Sequence, residues 1–183
     1  MATSKTGSFW LTQALQTATA TNGLIAGTID LGAYVDVGDQ QAIAVEQCDF
    51  IWQRYDTVND VYDGNLPAGL SSNGVFDAQV SDNNPGGTIL RADDQNLIAS
   101  GTLGLDDTNS IFSMGPDLYP DTFGKLDESR MVVNDSLYIV GDVSPTVAAN
   151  MQMVLVARIK ARIVKLSTKD WIAIAVQSTA ADN

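Results

Sequence analysis

The stretch MQMVLVARIKARIVKLSTKDWIAIAV, residues 151–176, holds the densest β-branched and aliphatic run of the chain. Branched side chains favour extended backbone because they pack well on a pleated surface. Written as a strand, the stretch places its basic residues from Arg158 to Arg162 on one face, with aliphatic residues on the other. We therefore predict a hairpin, with a turn at Ser167–Asp170 and a second strand, Trp171–Val176, that pairs back on the first.

An amphipathic helix is the alternative for the same stretch. Arg158, Arg162, Lys165 and Lys169 follow one another at i, i+4, i+7 and i+11, a spacing that places them along one side of a helix. The many Val and Ile residues favour the hairpin over the helix.

The charge of the chain is divided unevenly. The formal net charge is -12, yet residues 1–150 carry five basic and 20 acidic residues, while residues 151–183 carry five basic and two acidic ones. A basic surface on an acidic protein indicates an assembly face or a face for an acidic partner. Its candidate residues are Arg158, Lys160, Arg162, Lys165 and Lys169.

This basic face has three interpretations. Its cations face solvent or pair with the chain's own carboxylates; they meet acidic loops of another copy; or they contact an internal membrane or a genome. No aromatic residue alternates with the basic residues in the sequence, which weakens the case for stacking on nucleic-acid bases.

The composition is that of a globular chain with few of the usual catalytic groups. Hydrophobic residues make up 45% of the 183 residues, and no histidine is present, which removes the commonest general base and zinc ligand. Cys48, the single cysteine, lies in an apolar run and is expected to be a buried thiol. We expect no enzyme, no catalytic residues and no small-molecule substrate, and we expect Glu46 to face solvent or another subunit.

Alternating apolar residues separated by Gly, Asn, Asp and Pro turns predict an all-β fold, an antiparallel β-sandwich of jelly-roll type with little helix. Together with the hairpin described above, the predicted elements amount to eight or nine strands. The main ones are Leu24–Val37, Ala42–Tyr55, residues 75–80, Thr88–Arg91, Leu97–Leu105 and Met131–Val140.

We predict an amino-terminal arm, residues 1–23, and a single β-sandwich domain, residues 24–183. Within the arm, Ser8–Thr21 is either a short helix or an extended segment that docks on a neighbouring subunit, and its threonines favour the extended form. The residues before Ser8 lack the apolar segment of a secretory signal, and nothing in the arm is apolar enough to span a membrane. Residues 114–130 are predicted to form a long surface loop.

Acidic turns are the only candidate metal site. Asp93 and Asp94 precede one predicted strand, and Asp106 and Asp107 precede the next. If the two turns converge at one end of the sandwich, their carboxylates offer the oxygen ligands that Ca²⁺ takes. Solvated turn residues are the simpler interpretation, so we expect no cofactor and keep Ca²⁺ as the alternative.

The arm before Leu24, the paired strands Leu24–Val37 and Ala42–Tyr55, the loop-rich middle and the terminal hairpin around Trp171 resemble the single jelly-roll capsid proteins of icosahedral viruses. The resemblance implies a sandwich whose copies tile, with other shell proteins, into a capsid, and it implies a location in the virion. The basic strand would then lie at a seam between copies or face the interior. The alternative function is a glycan- or cell-surface-binding sandwich, such as a spike or fibre domain.

Overall fold

The computed structural model describes residues 2–106, 108–109, 111–114 and 130–180, which form two antiparallel sheets and one α-helix. The all-β prediction is confirmed. Three of the strands are only two or three residues long, and a 3₁₀ turn lies at Pro67–Gly69. The elements are β1 (Thr3–Ser4), β2 (Phe9–Gln16), β3 (Gly23–Asp30), β4 (Gln41–Asp56), β5 (Val61–Asp63), β6 (Gly74–Ser81), β7 (Leu97–Asp106), β8 (Ile111–Met114), β9 (Arg130–Val132), β10 (Ser136–Ser144), β11 (Met151–Lys165) and α1 (Thr168–Ala180).

The strand order is that of a jelly roll. One sheet has β11 and β4 at its centre, with β1 and β2 along the outer edge of β11, and β5 and β9 along the outer edge of β4. The other sheet has the order β3-β10-β6-β7-β8. Since β2, β4, β9 and β11 lie in the six-stranded sheet and β3, β6, β7 and β10 in the five-stranded one, the chain crosses repeatedly between the two layers.

The core lies between the two sheets and follows the alternation of the strands. Leu155 and Ile159 of β11 are fully buried and face Ile139 of β10 across the sandwich. Towards one end the rings of Trp52 and Phe76 join the sheets, with centroids 5.2 Å apart. The alternating apolar positions of the sequence therefore meet in one continuous interior.

A β-bulge partway along β4 changes which of its side chains point into the core. Lys160 of β11 lies opposite Gln47, and the next residue of β11 lies opposite Val45, so Glu46 is the extra residue. Val45 faces the core before the bulge and Cys48 faces it after the bulge, which reverses the odd–even pattern. This reversal explains why both faces of the predicted strand 42–55 look partly apolar.

The second half of the predicted hairpin is wrong, because Trp171–Val176 lies in α1. The backbone N–H of Asp170 donates to the hydroxyl of Ser167 at 3.2 Å, which caps the first turn. A Ser-x-x-Asp sequence before an apolar run is a helix-start signal, and packing then overrides the strand preference of Ile and Val. One side of α1 covers a separate apolar cluster on the outer surface of the sheet, formed by Ala42, Ala44, Val133, Val164 and Leu166.

The strand prediction for Arg158–Lys165 is confirmed, and the amphipathic-helix alternative for it is wrong. The helix alternative for Ser8–Thr21 is also wrong, because β2 pairs along β11 from Phe9 opposite Ala161 onwards. β2 therefore forms an edge of the chain's own sheet. The division into an arm, residues 1–23, and a domain, residues 24–183, stays a prediction.

Other boundaries differ from the prediction in places where turns interrupt an apolar pattern. The strand predicted at Leu24–Val37 ends at Asp30, whose carboxylate accepts a hydrogen bond from the N–H of Gly32 at 2.8 Å and so begins a turn. Thr88–Arg91 is not a strand, and 131–140 divides between β9 and β10. Most of the loop predicted at 114–130 lies outside the described residues.

Candidate functional site

The structure distributes the five predicted face residues over two elements. Arg158, Lys160 and Arg162 are half-buried on β11 and alternate with side chains that pack in the core, so they point to the outer surface of the sheet as predicted. Lys165 is exposed at the end of β11, and Lys169 is exposed in the first turn of α1. The outer surface of β2, β11 and β4, together with these two lysines, is called the basic surface below.

An aromatic ring lies among the cations of the basic surface. The guanidinium of Arg158 is 4.6 Å from the centre of the Trp10 ring, a cation–π contact. Trp10 is 43% exposed and lies opposite Lys160 in the pairing of β2 with β11. The sequence showed no aromatic residue between basic ones because the ring comes from a neighbouring strand.

Arg162 is already paired within the chain. Its guanidinium forms an ion pair with Glu46, which also accepts a hydrogen bond from the Ser8 hydroxyl at 2.7 Å. Glu46 is only 7% exposed, because the bulge turns it towards β11 and the segment before β2 covers it. The prediction that Glu46 faces solvent or another subunit is therefore wrong, and the positive charge of Arg162 is compensated locally.

The other four cations of the basic surface form no such pair within the described residues. Ion pairs there join Lys5 to Asp39, Arg54 to Asp63, Arg91 to Asp93, Arg130 to Asp82, and Arg162 to Glu46. Arg158 has Asp49 opposite it in β4, but the Asp49 carboxylate accepts from Gln47 at 2.8 Å. The uncompensated charge of the basic surface therefore comes from Arg158, Lys160, Lys165 and Lys169.

A buried polar cluster, which the sequence did not reveal, anchors the far end of α1. Asp82 is 2% exposed and its carboxylate lies 3.3 Å from a guanidinium nitrogen of Arg130. Asn134 donates to the Ser178 hydroxyl of α1 at 2.8 Å. With its side-chain amide in the orientation that satisfies both neighbours, Asn96 donates to Asp82 at 3.3 Å and to the Ser178 carbonyl at 3.2 Å. The cluster borders a cleft of about 200 Å³.

Within this cluster, burial changes the proton affinity of the Asp82 carboxylate. Loss of water around the carboxylate raises the pKa of Asp82, and the nearby charge of Arg130 opposes part of that rise. Three loops and the last turns of α1 meet at these side chains, so their hydrogen bonds hold the helix against the sandwich.

The predicted metal residues lie apart. Asp94 precedes β7 and Asp106 ends it, so the ten residues of the strand separate the two turns by roughly 30 Å. Asp93 pairs with Arg91 at 3.1 Å, and Asp106 accepts from Asn109. The convergence that a shared Ca²⁺ site requires is not met by these three residues, and Asp107 lies outside the described residues. The expectation of no cofactor, with Ca²⁺ as its alternative, stays a prediction.

Clustered metal ligands and membrane-spanning helices are both absent from the described part of the chain. No group of three or more His, Cys, Asp or Glu residues is arranged to hold a metal ion there. Among the same residues, no helix combines the length and the apolar character that a membrane crossing requires.

Comparisons with known proteins give a weak likeness of architecture. No protein-family model and no curated protein matches the chain. A chain from the structure of Desmodium yellow mottle tymovirus aligns with TM-score 0.29 and 8% identity, over 88% of this chain and 90% of that one. A chain from turnip yellow mosaic virus aligns with TM-score 0.29 and 9% identity, over 88% of this chain and 85% of that one. At these TM-scores the likeness carries no argument about function.

Proposed function

We propose that this protein is a structural subunit that assembles with copies of itself, and with other shell proteins, into a capsid or similar shell of a virion. The observation that carries the proposal is the charge of the basic surface. Four of its cations, Arg158, Lys160, Lys165 and Lys169, have no carboxylate partner among the described residues, while the protein as a whole has a net charge of -12. Such a surface is complementary to the rest of another copy.

The fold supports the proposal as a scaffold. A jelly roll presents two rigid layers and several loops at its ends, so that copies can meet edge to edge without rearranging their cores. A fold of this kind hosts many functions, so the charge distribution, and not the fold, carries the argument.

The test reverses charges that have no partner within the chain. Lys160→Glu, alone and with Lys165→Glu, is expected to raise the concentration needed for assembly at least tenfold, because each seam then places like charges together. Arg162 is unsuitable for this purpose, since a glutamate there would face the buried Glu46 and disturb the fold. Arg91→Glu makes the same change in charge in the segment between β6 and β7, outside the basic surface, and serves as the matched control.

The measurements are light scattering after size-exclusion chromatography and electron micrographs of purified protein. Particles from the wild type and from Arg91→Glu, with loss of particles in the Lys160 variants, would support the proposal. A wild type that stays monomeric at high concentration and at all salt concentrations would overturn it. Monomers that bind a glycan array would instead support the glycan- or cell-surface-binding alternative.

A further inference from the structure

Helix α1 exposes apolar side chains on the side that faces away from the sandwich. Ile172 is 53% exposed and Val176 is 58% exposed, and Ala173 is exposed beside them. Their spacing of i and i+4 places the two large residues next to each other on one helical face. Water therefore meets an apolar stripe on the outer surface of the protein.

The charge around this stripe restricts what can cover it. From Trp171 to Ala180 the helix contains no charged residue. Two copies of a protein of net charge -12 repel each other, so a stable contact between them requires surfaces that are not both negative. The stripe meets this condition and is apolar as well.

We infer that α1 is a two-fold contact at which two copies of this chain pack their helices side by side and antiparallel, with Ile172 of each copy against Val176 of the other. The inference rests on the proposed function in one respect, since it supplies one of the contacts between copies that a shell needs. Because the same stripe is used by both partners, the contact closes on itself and joins copies in pairs.

Electrostatics favours the antiparallel arrangement over the parallel one. Lys169 lies in the first turn of α1, where the positive end of its own helix dipole disfavours a cation. In an antiparallel pair centred near Ile174, Lys169 of one copy lies beside the last turn of the other helix, whose carbonyl groups attract it. A parallel pair would bring the two Lys169 side chains together.

The size of the contact indicates a weak and concentration-dependent pair. A helix of 13 residues is about 20 Å long, and packing one face of it buries on the order of 300–400 Å² from each partner. A stable complex usually buries about 800 Å² from each partner. A contact of this size is therefore insufficient for a permanent dimer but suits a shell in which each copy makes several weak contacts.

Disulfide cross-linking tests the geometry. Ile172→Cys and Val176→Cys are prepared separately, one of them with a small tag, and are oxidised alone and as an equimolar mixture. In the antiparallel pair, residue 172 of one copy lies opposite residue 176 of the other, within reach of a disulfide, whereas identical residues are offset by ~6 Å along the helix axis. We expect the mixture to give several times more linked dimer than either variant alone.

Two controls accompany the cross-linking. Val61→Cys places a thiol at another exposed apolar position, on β5, and is expected to give no enrichment. The wild type reports on Cys48, which is 2% exposed and should not react. Equal linking of each variant with itself, or no linking in the mixture, would overturn the antiparallel contact.

A second variant measures the strength of the contact without cysteines. Ile172→Ser with Val176→Ser is expected to raise the concentration for pairing tenfold or more, with an unchanged circular dichroism spectrum, because both side chains are exposed in the single chain. Cross-linked pairs without particles in micrographs would leave the helix contact standing and overturn the shell. Particles that form equally well in this variant would leave the shell standing and overturn the helix contact.

Discussion

At the scale of single residues, ion pairs within the chain decide which charged side chains are available for contact with another molecule. Arg162 and Lys160 are two positions apart on the same face of β11, yet Arg162 is joined to the buried Glu46 while Lys160 has no carboxylate partner among the described residues. Both residues look alike in the sequence. Because a buried carboxylate needs a countercharge, Arg162 stabilises the fold and Lys160 is the better candidate for contact with another molecule.

Asp82 provides a prediction about pH. Its pKa is raised by burial, so between the ordinary carboxyl value of about 3.8 and its own pKa the folded state binds more protons than the unfolded state. Relative to Asp82→Asn, which does not titrate, the wild type should gain stability as the pH falls through the pKa of folded Asp82. The difference should become constant below the ordinary value, and each tenfold difference in proton affinity corresponds to ~1.4 kcal/mol.

The measurement is urea unfolding of both proteins from neutral pH down to about pH 2.5, below the ordinary carboxyl value, with Asp63→Asn as a control of opposite sign. The hydrogen bond from Arg54 lowers the pKa of Asp63, so this carboxylate stabilises the fold above its ordinary pKa and loses that effect as the pH falls towards its lowered value. If the difference in stability between the wild type and Asp82→Asn did not change with pH, burial would not raise the pKa of Asp82.

At the scale of elements, two departures from regular geometry shape the outer surface of the central sheet. The bulge in β4 brings Glu46 to Arg162, and the capped start of α1 turns the chain back over the sheet after Lys165. The helix then buries Trp171 and Ile174 against the sheet and leaves Ile172 and Val176 exposed. The bulge adds one residue to β4, and the cap begins the helix at a single turn. Each of them changes which side chains are exposed on the outer surface of the sheet.

Removal of the cap should weaken α1. Ser167→Ala is expected to lower the free energy of unfolding by about 1 kcal/mol, because the N–H of Asp170 loses its hydrogen-bond acceptor. Ser167→Asp keeps an acceptor at the same position and should stay within a few tenths of a kcal/mol of the wild type. Urea unfolding of the three proteins gives the comparison, and equal stability of all three would mean that packing alone fixes the start of the helix.

At the scale of the whole molecule, net charge opposes both folding and assembly. A compact chain of net charge -12 repels itself, and copies of it repel one another at distances shorter than the screening length. On the basic surface the five cations outnumber the carboxylates Glu46 and Asp49, and the apolar stripe of α1 has no charged residue, so neither region is predominantly negative. A shell built from this protein would have to use such regions for its contacts.

Salt should therefore stabilise the single chain. We expect the free energy of unfolding in urea to rise by about 1 kcal/mol as sodium chloride increases from low to physiological concentration, because salt screens the repulsion between carboxylates. The same experiment near pH 4.1, the isoelectric point, is the control, and the effect should vanish there. A fall in stability with salt at neutral pH would show instead that ion pairs such as Arg162–Glu46 dominate.

The sequence by itself determined the class of the fold. Regular alternation in 24–30 and 157–162 left one face of each strand for the core, and Gly, Asn and Asp marked most of the turns. The positions of the basic residues on one face of β11 followed from the same period of two. These features depend on neighbours along the chain, which is why the sequence could reveal them.

Only the tertiary structure decided which strands pair, and therefore which charges meet. Trp10 lies beside Arg158, and Glu46 beside Arg162, because β2, β11 and β4 are neighbours in one sheet although they are far apart in the chain. The stretch 171–176 is a helix because one of its sides packs on an apolar cluster on the outer surface of that sheet, and because Ser167 caps its start. Strand pairing and burial depend on many contacts between residues that are far apart in the chain. Where these contacts and the local secondary-structure propensity disagree, the contacts decide the structure.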